Sequence, residues 1–217
     1  MIFLYGDREI QYLKKKDKRL GEAIDIIGHI ERAANPDLFS SVIYTIIGQQ
    51  ISAAAVKTVW GRLCVILGDV TVETINNSSD ALLQSAGLTF KKAGYMKNFA
   101  AKVISGEFDI ETLPLKSDAE VIAQFSALNG LGVWSAEMIM LFTMQRPDIL
   151  SFGDLGIHRG LRMLYHHKNV DKALFEKYRK RYSPYASVAS LYLWTISAGA
   201  IPGMKDYAPP RKKVNKK

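Results

Sequence analysis

Along most of this chain apolar residues recur at spacings of three and four, and small polar residues stand in front of many of the apolar runs. That spacing gathers side chains onto one face of a helix. In PDLFSSVIYTIIGQQ the residues Phe39, Val42, Ile43, Ile46 and Ile47 share a face, and Asn35-Pro36 reads as its N-cap and first turn. Ser52 caps SAAAVKTVWGRLCVILG, which Gly68 stops. Further helices are predicted over residues 79–86, 89–105 and 117–128, the last opened by a capping box of Ser117 and Glu120. Four more follow at 133–144, 154–165, 171–182 and 183–198. No convincing pair of alternating strands is visible, so the expected fold class is all-α.

With 217 residues, 48% of them hydrophobic and 23% charged, the chain is long enough to bury a core as one unit or two small lobes. No repeat period or low-complexity linker interrupts it, and only the terminal PPRKKVNKK reads as a disordered tail. Lys and Arg outnumber Asp and Glu by 29 to 21, a net charge of +8 that draws polyanions and favours nucleic acid as partner. The single cysteine, Cys64, sits in an apolar run and reads as a small buried hydrophobe. One cysteine excludes an intrachain disulfide, a four-cysteine iron–sulfur cluster and a four-cysteine zinc site. The opening MIFLYGDREI turns polar too soon for a signal peptide or membrane span, so the expected location is cytoplasmic, at the nucleoid in a bacterium, with no membrane partner. The run Lys14-Lys15-Lys16-Asp17-Lys18-Arg19 reads as solvated surface, and Trp60 as core.

The stretch from Ala127 to Ile139 combines a helix end, two glycines separated by Leu131, and a new helix start. Gly130 and Gly132 permit positive φ and leave N–H groups uncovered, while the helix N-terminus adds its positive dipole end, together a pocket for a DNA phosphate. Taken alone, L-x-G-L-G is equally a tight turn between two core helices. The segment beyond it, Pro147 to Gly160, carries Asp154, which by itself reads as an N-cap for DLGIHRGLRMLY.

Hairpin, glycine-rich loop and aspartate together resemble the helix-hairpin-helix DNA glycosylases, and within them the 3-methyladenine DNA glycosylase II family. IIGQQISAAAVKTVWGRL resembles that family's GQQ(I/L)S segment and LTFKKAGYMKNFA its following helix, so the likeness spans most of residues 38–165 and continues weakly through SLYLWTISAG. The length leaves no room for the N-terminal β-domain of the larger bacterial members. The resemblance implies two lobes, one over about 41–150 with its hairpin at 126–137, the other from 1–40 and 151–208, with the DNA site in the cleft and Asp154 at the junction. It implies that Gly130, Leu131, Gly132 and Ser135 grip a phosphate, and that the carbonyls of Ser126, Leu128 and Leu131 hold a structural Na+ or K+. Asp154 matches the catalytic aspartate. A helix N-terminus keeps such a carboxylate ionised, able to stabilise the oxocarbenium-like sugar and to orient the attacking water.

Trp134 stands where bifunctional members carry the lysine that attacks the sugar, so no Schiff-base lyase activity is expected. Its indole suits a flipped, cationic base such as an alkylated purine. Trp194 matches a second pocket tryptophan, although it lies in an apolar helix where burial is the default. Met138, expected to line the base pocket, departs from the tyrosine of the broad-range bacterial relative. Gln50 matches the residue that enters the duplex gap, and Gln49 is its neighbour. Both also read as ordinary loop polars. His158, one turn after Asp154, reads as a solvated histidine. The expected protein is a monomeric, monofunctional glycosylase acting on duplex DNA with damaged bases such as 3-methyladenine, 7-methylguanine, ethenoadenine or hypoxanthine. The alternatives are a non-catalytic helix-hairpin-helix DNA-binding module and a helical protein-interaction domain.

Overall fold

Side-chain caps set most of the helix starts in the computed structural model, which describes residues 1–209. Ser52, Ser79, Thr89, Ser117, Asp154 and Asp171 each accept the backbone N–H three residues on, as Ser, Thr and Asp do at N-caps. Among the described residues the regular structure is all helical, with one isolated antiparallel bridge between Ile2 and Ala33. The predicted tail lies almost wholly outside the described residues.

The residues fall into two compact units, one of residues 34–145 with Met1, the other of residues 2–33 and 146 onward. The first contains α3 (Leu38–Gly48), α4 (Ala53–Leu67), α5 (Val72–Asn77), α6 (Asp80–Ser85), α7 (Phe90–Ile104), α8 (Asp118–Ser126) and α9 (Val133–Phe142). The second contains α1 (Asp7–Lys16), α2 (Lys18–Ile27), α10 (Leu155–Tyr165), α11 (Lys172–Tyr182) and α12 (Ala186–Ser197). Several of these helices differ from expectation: α5 falls where no helix was predicted, and α12 starts at Ala186, three residues after its predicted start. α3 starts two residues late, because Asp37 accepts the Ser40 N–H at 3.3 Å while Asn35 is spent on the Asp37 N–H at 3.1 Å. α1 and α2 arise where only a charged surface was read. The run Lys14–Arg19 straddles their junction, and its Asp17 is 5% exposed, caps α2 through Leu20 N–H at 3.0 Å and pairs with Arg181 at 2.6 Å.

The first unit is built on a string of rings. Phe39 stacks on Phe99 with centroids 5.1 Å apart, Phe99 meets Phe108 edge-on at 5.4 Å, and Phe108 meets Phe125 at 5.6 Å. Each such pair contributes about 0.5–1.5 kcal/mol beyond its buried area. The string joins α3, α7 and α8, and so fixes the end of α8 from which the hairpin departs. Trp60 is only half-buried and lies edge-on to Tyr44 at 5.3 Å, and Cys64 is likewise half-buried, lining a cavity of about 370 Å³ with Asp37, Ser40 and Trp60.

The second unit is organised by α12, whose residues from Ala186 to Leu193 are all buried. α10 packs directly against it at Gly160, where an added Cβ would stand 2.3 Å from the Leu193 carbonyl oxygen. The serines of α12 hold the segment that leads to α10: Ser187 Oγ accepts the Ile149 N–H at 2.9 Å, and Ser190 Oγ donates to the Ile149 carbonyl at 2.9 Å.

Gly160→Ala is therefore expected to destabilise the protein by about 1–3 kcal/mol through overpacking against backbone, despite the roughly 1 kcal/mol that alanine gains in a helix. Gly61→Ala, in α4 with nothing within 4 Å of the added methyl, should stabilise instead. Urea denaturation of the two variants checks the opposite signs.

Candidate active site and DNA grip

The segment before α10 carries no regular structure, yet several of its groups are fastened. His158 Nε2 lies 2.7 Å from the Phe152 carbonyl, and the His158 ring stacks on Phe175 at 5.6 Å and meets Phe152 edge-on at 5.0 Å. His158 is thus a clamp on the loop and not the solvated side chain that the sequence suggested. Asp148 accepts the Ala186 N–H at 3.2 Å and the Ser183 hydroxyl at 2.6 Å, and so caps α12 from a distance.

Asp154 is 8% exposed and caps α10. Its Oδ1 accepts the Ile157 backbone N–H at 2.9 Å and, at the same distance, the indole N–H of Trp194. A buried carboxylate requires such donors, and two on one oxygen fix the carboxylate plane. Gly156 makes room for the pair: a Cβ there would lie 2.8 Å from Trp194 Cδ1 and 3.1 Å from Asp154 Oδ1. Trp194 is half-buried, and its indole N–H is a partner of the carboxylate. Leu155, next in sequence to Asp154, is 82% exposed.

In the first unit, α8 and α9 flank the hairpin. Leu131 N–H bonds the Leu128 carbonyl at 3.1 Å, and the side chains of Leu128 and Leu131 are buried, which pins the turn to the core. Only one of the two glycines uses positive φ. Gly130 has φ 84° and packs closely against the Tyr95 ring, which leaves no room for a Cβ. Gly132 has the extended backbone of an N-cap, with no protein atom within 4 Å of a Cβ position. The Ser135 side chain is buried, so its group facing the helix start is the backbone N–H. Ser126 Oγ is buried without a hydrogen-bond partner among the described residues, an orphan oxygen beside the carbonyls expected to bind a cation. An oxygen-rich turn with an unsatisfied hydroxyl suits Na+ or K+.

Trp134, on the first turn of α9, is 47% exposed, and Met138, one turn on, is half-buried. Gln50 is exposed and holds φ 59°, a left-handed backbone uncommon outside glycine. Gln49 Nε2 donates to the Gly130 carbonyl, which ties the α3–α4 loop to the hairpin. The sequence brought Gln49, Gln50, Gly130 and Gly132 forward separately and gave no sign of this bond. It also missed Gly156, Tyr95 and Lys92. Only the glycine, four residues before Gly160 on α10, left a readable mark.

Two helices joined by a glycine hairpin, followed by a helix capped by an aspartate, form a helix-hairpin-helix arrangement. The family model of HhH-GPD superfamily base excision DNA repair proteins matches residues 43–184, and the chain belongs to that superfamily. A crystal structure of a DNA-3-methyladenine glycosidase from Bacillus halodurans is similar with a TM-score of 0.82 and 33% identity, over 92% of this chain and 93% of that one. The Schizosaccharomyces pombe 3-methyladenine DNA glycosylase, in complex with abasic DNA, shares the fold with a TM-score of 0.79 at 23% identity, over 90% of this chain and 99% of that one. In sequence, DNA-3-methyladenine glycosylase 1 of the same yeast is 25% identical over 182 residues, 79% of this chain and 75% of that protein.

Trp194→Phe keeps the ring and removes the donor to Asp154. It should lower single-turnover excision about tenfold or more, the equivalent of one hydrogen bond to a charged group, with DNA affinity unchanged. Gly132→Val should do the reverse, leaving urea stability nearly intact and weakening binding to every duplex alike, because the space it fills is open to a phosphate and empty of protein. Anisotropy titrations beside excision rates separate the two effects.

Proposed function

We propose that the protein is a monofunctional DNA glycosylase of base excision repair that flips alkylated purines such as 3-methyladenine out of duplex DNA and hydrolyses the N-glycosidic bond. The observation that carries this reading is Asp154, a buried carboxylate held by the Ile157 and Trp194 N–H groups at the start of α10. As the bond from C1′ to the base nitrogen breaks, its electron pair leaves with the base and positive charge develops on the sugar. The fixed carboxylate opposes that charge without reorganising. Water then adds to C1′ and gives up a proton to the same carboxylate, which acts as general base.

The remaining roles follow from exposure and position. Trp134 presents an indole on which a flipped base can stack, most strongly when alkylation has made it cationic, and Met138 supplies a polarizable side chain one turn away. Gly130, Leu131, Gly132 and Ser135 offer backbone N–H groups to a phosphate at the start of α9. Gln50 fills the gap in the duplex, with Gln49 bracing it. The carbonyls of Ser126, Leu128 and Leu131 are the group that would hold Na+ or K+, which when bound supplies positive charge beside the phosphate. The protein acts as a monomer on damaged duplex DNA. No helix of the described residues is long and apolar enough to cross a membrane.

Asp154→Asn should cut excision by on the order of a thousandfold. Fold and DNA affinity should survive, since little volume changes. Comparable turnover by mutant and parent would remove Asp154 from the chemistry. Because Trp134 occupies the position of the lyase lysine, borohydride should trap no protein–DNA adduct and strand breaks should require alkali. Trp134→Ala should depress excision of 7-methylguanine more than it depresses binding.

A further inference from the structure

Lys92 lies in the first turn of α7, and its ammonium reaches across to the end of α3. There it donates to the Ile47 carbonyl at 2.8 Å and to the Gln49 carbonyl at 2.7 Å. A cation at the last carbonyls of a helix answers both their unpaired lone pairs and the negative end of the dipole. Burial lowers the pKa of Lys92 from the ordinary lysine value, in keeping with an ammonium partly withdrawn from water for this contact. The residue that follows its second acceptor is Gln50, at φ 59°. A glutamine keeps a left-handed backbone only where its surroundings impose it.

The contact belongs to a larger arrangement. Tyr95, three residues after Lys92 and on the same face of α7, is the ring on which Gly130 rests. Gln49 joins the two supported pieces through its bond to the Gly130 carbonyl. One helix face therefore carries both the phosphate grip and the loop that projects Gln50. α7 and α3 also meet through the stacked rings of Phe39 and Phe99, an apolar contact in which the ammonium has no part.

We propose that Lys92 is a positioning residue for duplex opening, one that holds the Gln49–Gln50 loop so that Gln50 is aimed at the gap left by the flipped nucleotide. The proposal rests on the reading of Gln50 as the residue that fills that gap. Without Lys92 the carbonyls of Ile47 and Gln49 turn to water, Gln50 relaxes to negative φ, and its side chain leaves its aim. The cost falls on substrates in which the base must be extracted from intact pairing, because a plug matters most where flipping is expensive. Lys92 thus sets a preference between paired and already unpaired lesions without touching DNA chemistry.

The test uses the full chain with 7-methylguanine in oligonucleotides, either paired with cytosine or placed in a short unpaired bubble, under single-turnover conditions. Lys92→Met should slow excision from the paired duplex by about ten- to a hundredfold and from the bubble by at most a few-fold, and Gln50→Ala should give the same profile. The double variant should be no slower than Gln50→Ala alone, since the lysine acts through the glutamine. Lys92→Arg, which can still donate to both carbonyls, should recover part of the paired-duplex rate. Selective loss in Gln50→Ala with equal or no loss in Lys92→Met overturns the proposal alone. Equal losses on both substrates in Gln50→Ala overturn the gap-filling role and the proposal with it. Lys92→Met must also melt within about 5 °C of the parent, and a collapse of the fold would make the lysine part of the scaffold and contradict the positioning role.

Discussion

Two N–H groups from different helices meet on one oxygen of Asp154, and much of the second unit is arranged so that they can. The Ile157 N–H belongs to the first turn of α10, and the indole N–H of Trp194 to α12. They converge because α10 and α12 approach at backbone distance, which Gly160 permits against Leu193 and Gly156 permits against Trp194. The incoming segment is registered by Ser187 and Ser190, and its last turn by His158. A carboxylate with little exposure is costly unless its lone pairs are met, so this packing serves stability and, with Asp154 as the proposed catalytic group, chemistry together. For catalysis by charge, a group already fixed where charge develops is worth more than one that must be reoriented.

On the proposed reading the first unit solves a different problem, that of presenting backbone N–H groups to a partner of no fixed sequence. Its aromatic string fixes the end of α8, Leu128 and Leu131 pin the turn, and Tyr95 supports Gly130, the hairpin glycine of the two that adopts positive φ. Phosphate contacts position a protein on DNA without reading bases, and a net charge of +8 strengthens them at every sequence. On the proposed reading, selection among bases is then left to exposed groups such as Trp134.

What was legible in the sequence was mostly local. Ser52, Ser79, Thr89, Ser117, Asp154 and Asp171 announced their helices because an N-cap acts within three residues of itself. Asn35 misled for the same reason, since Asp37 offered a second cap two residues on and won. α1 was missed because only Leu13 of its residues is buried. Its charges were the available signal, with Asp7 and Glu9 at the positive end of the helix dipole and Lys14, Lys15 and Lys16 at the negative end. The position of Asp154 could be matched, but not its bond to Trp194, which lies forty residues away in an apolar helix that periodicity alone marks as core. Lys92 was still less visible, because a lysine donating to two backbone carbonyls looks, in sequence, like any lysine in LTFKKAGYMKNFA.

The account as a whole stands on bond cleavage, since a protein that merely gripped DNA through its hairpin could share the fold and the charge. The most direct measurement incubates the protein with methylated duplex DNA, then quantifies free bases in the supernatant by chromatography and abasic sites in the strand by alkali. Intact 3-methyladenine released in step with alkali-labile sites, one for one, is the result this account predicts. Tight binding with no free base in solution would contradict it and leave the protein a DNA-binding module.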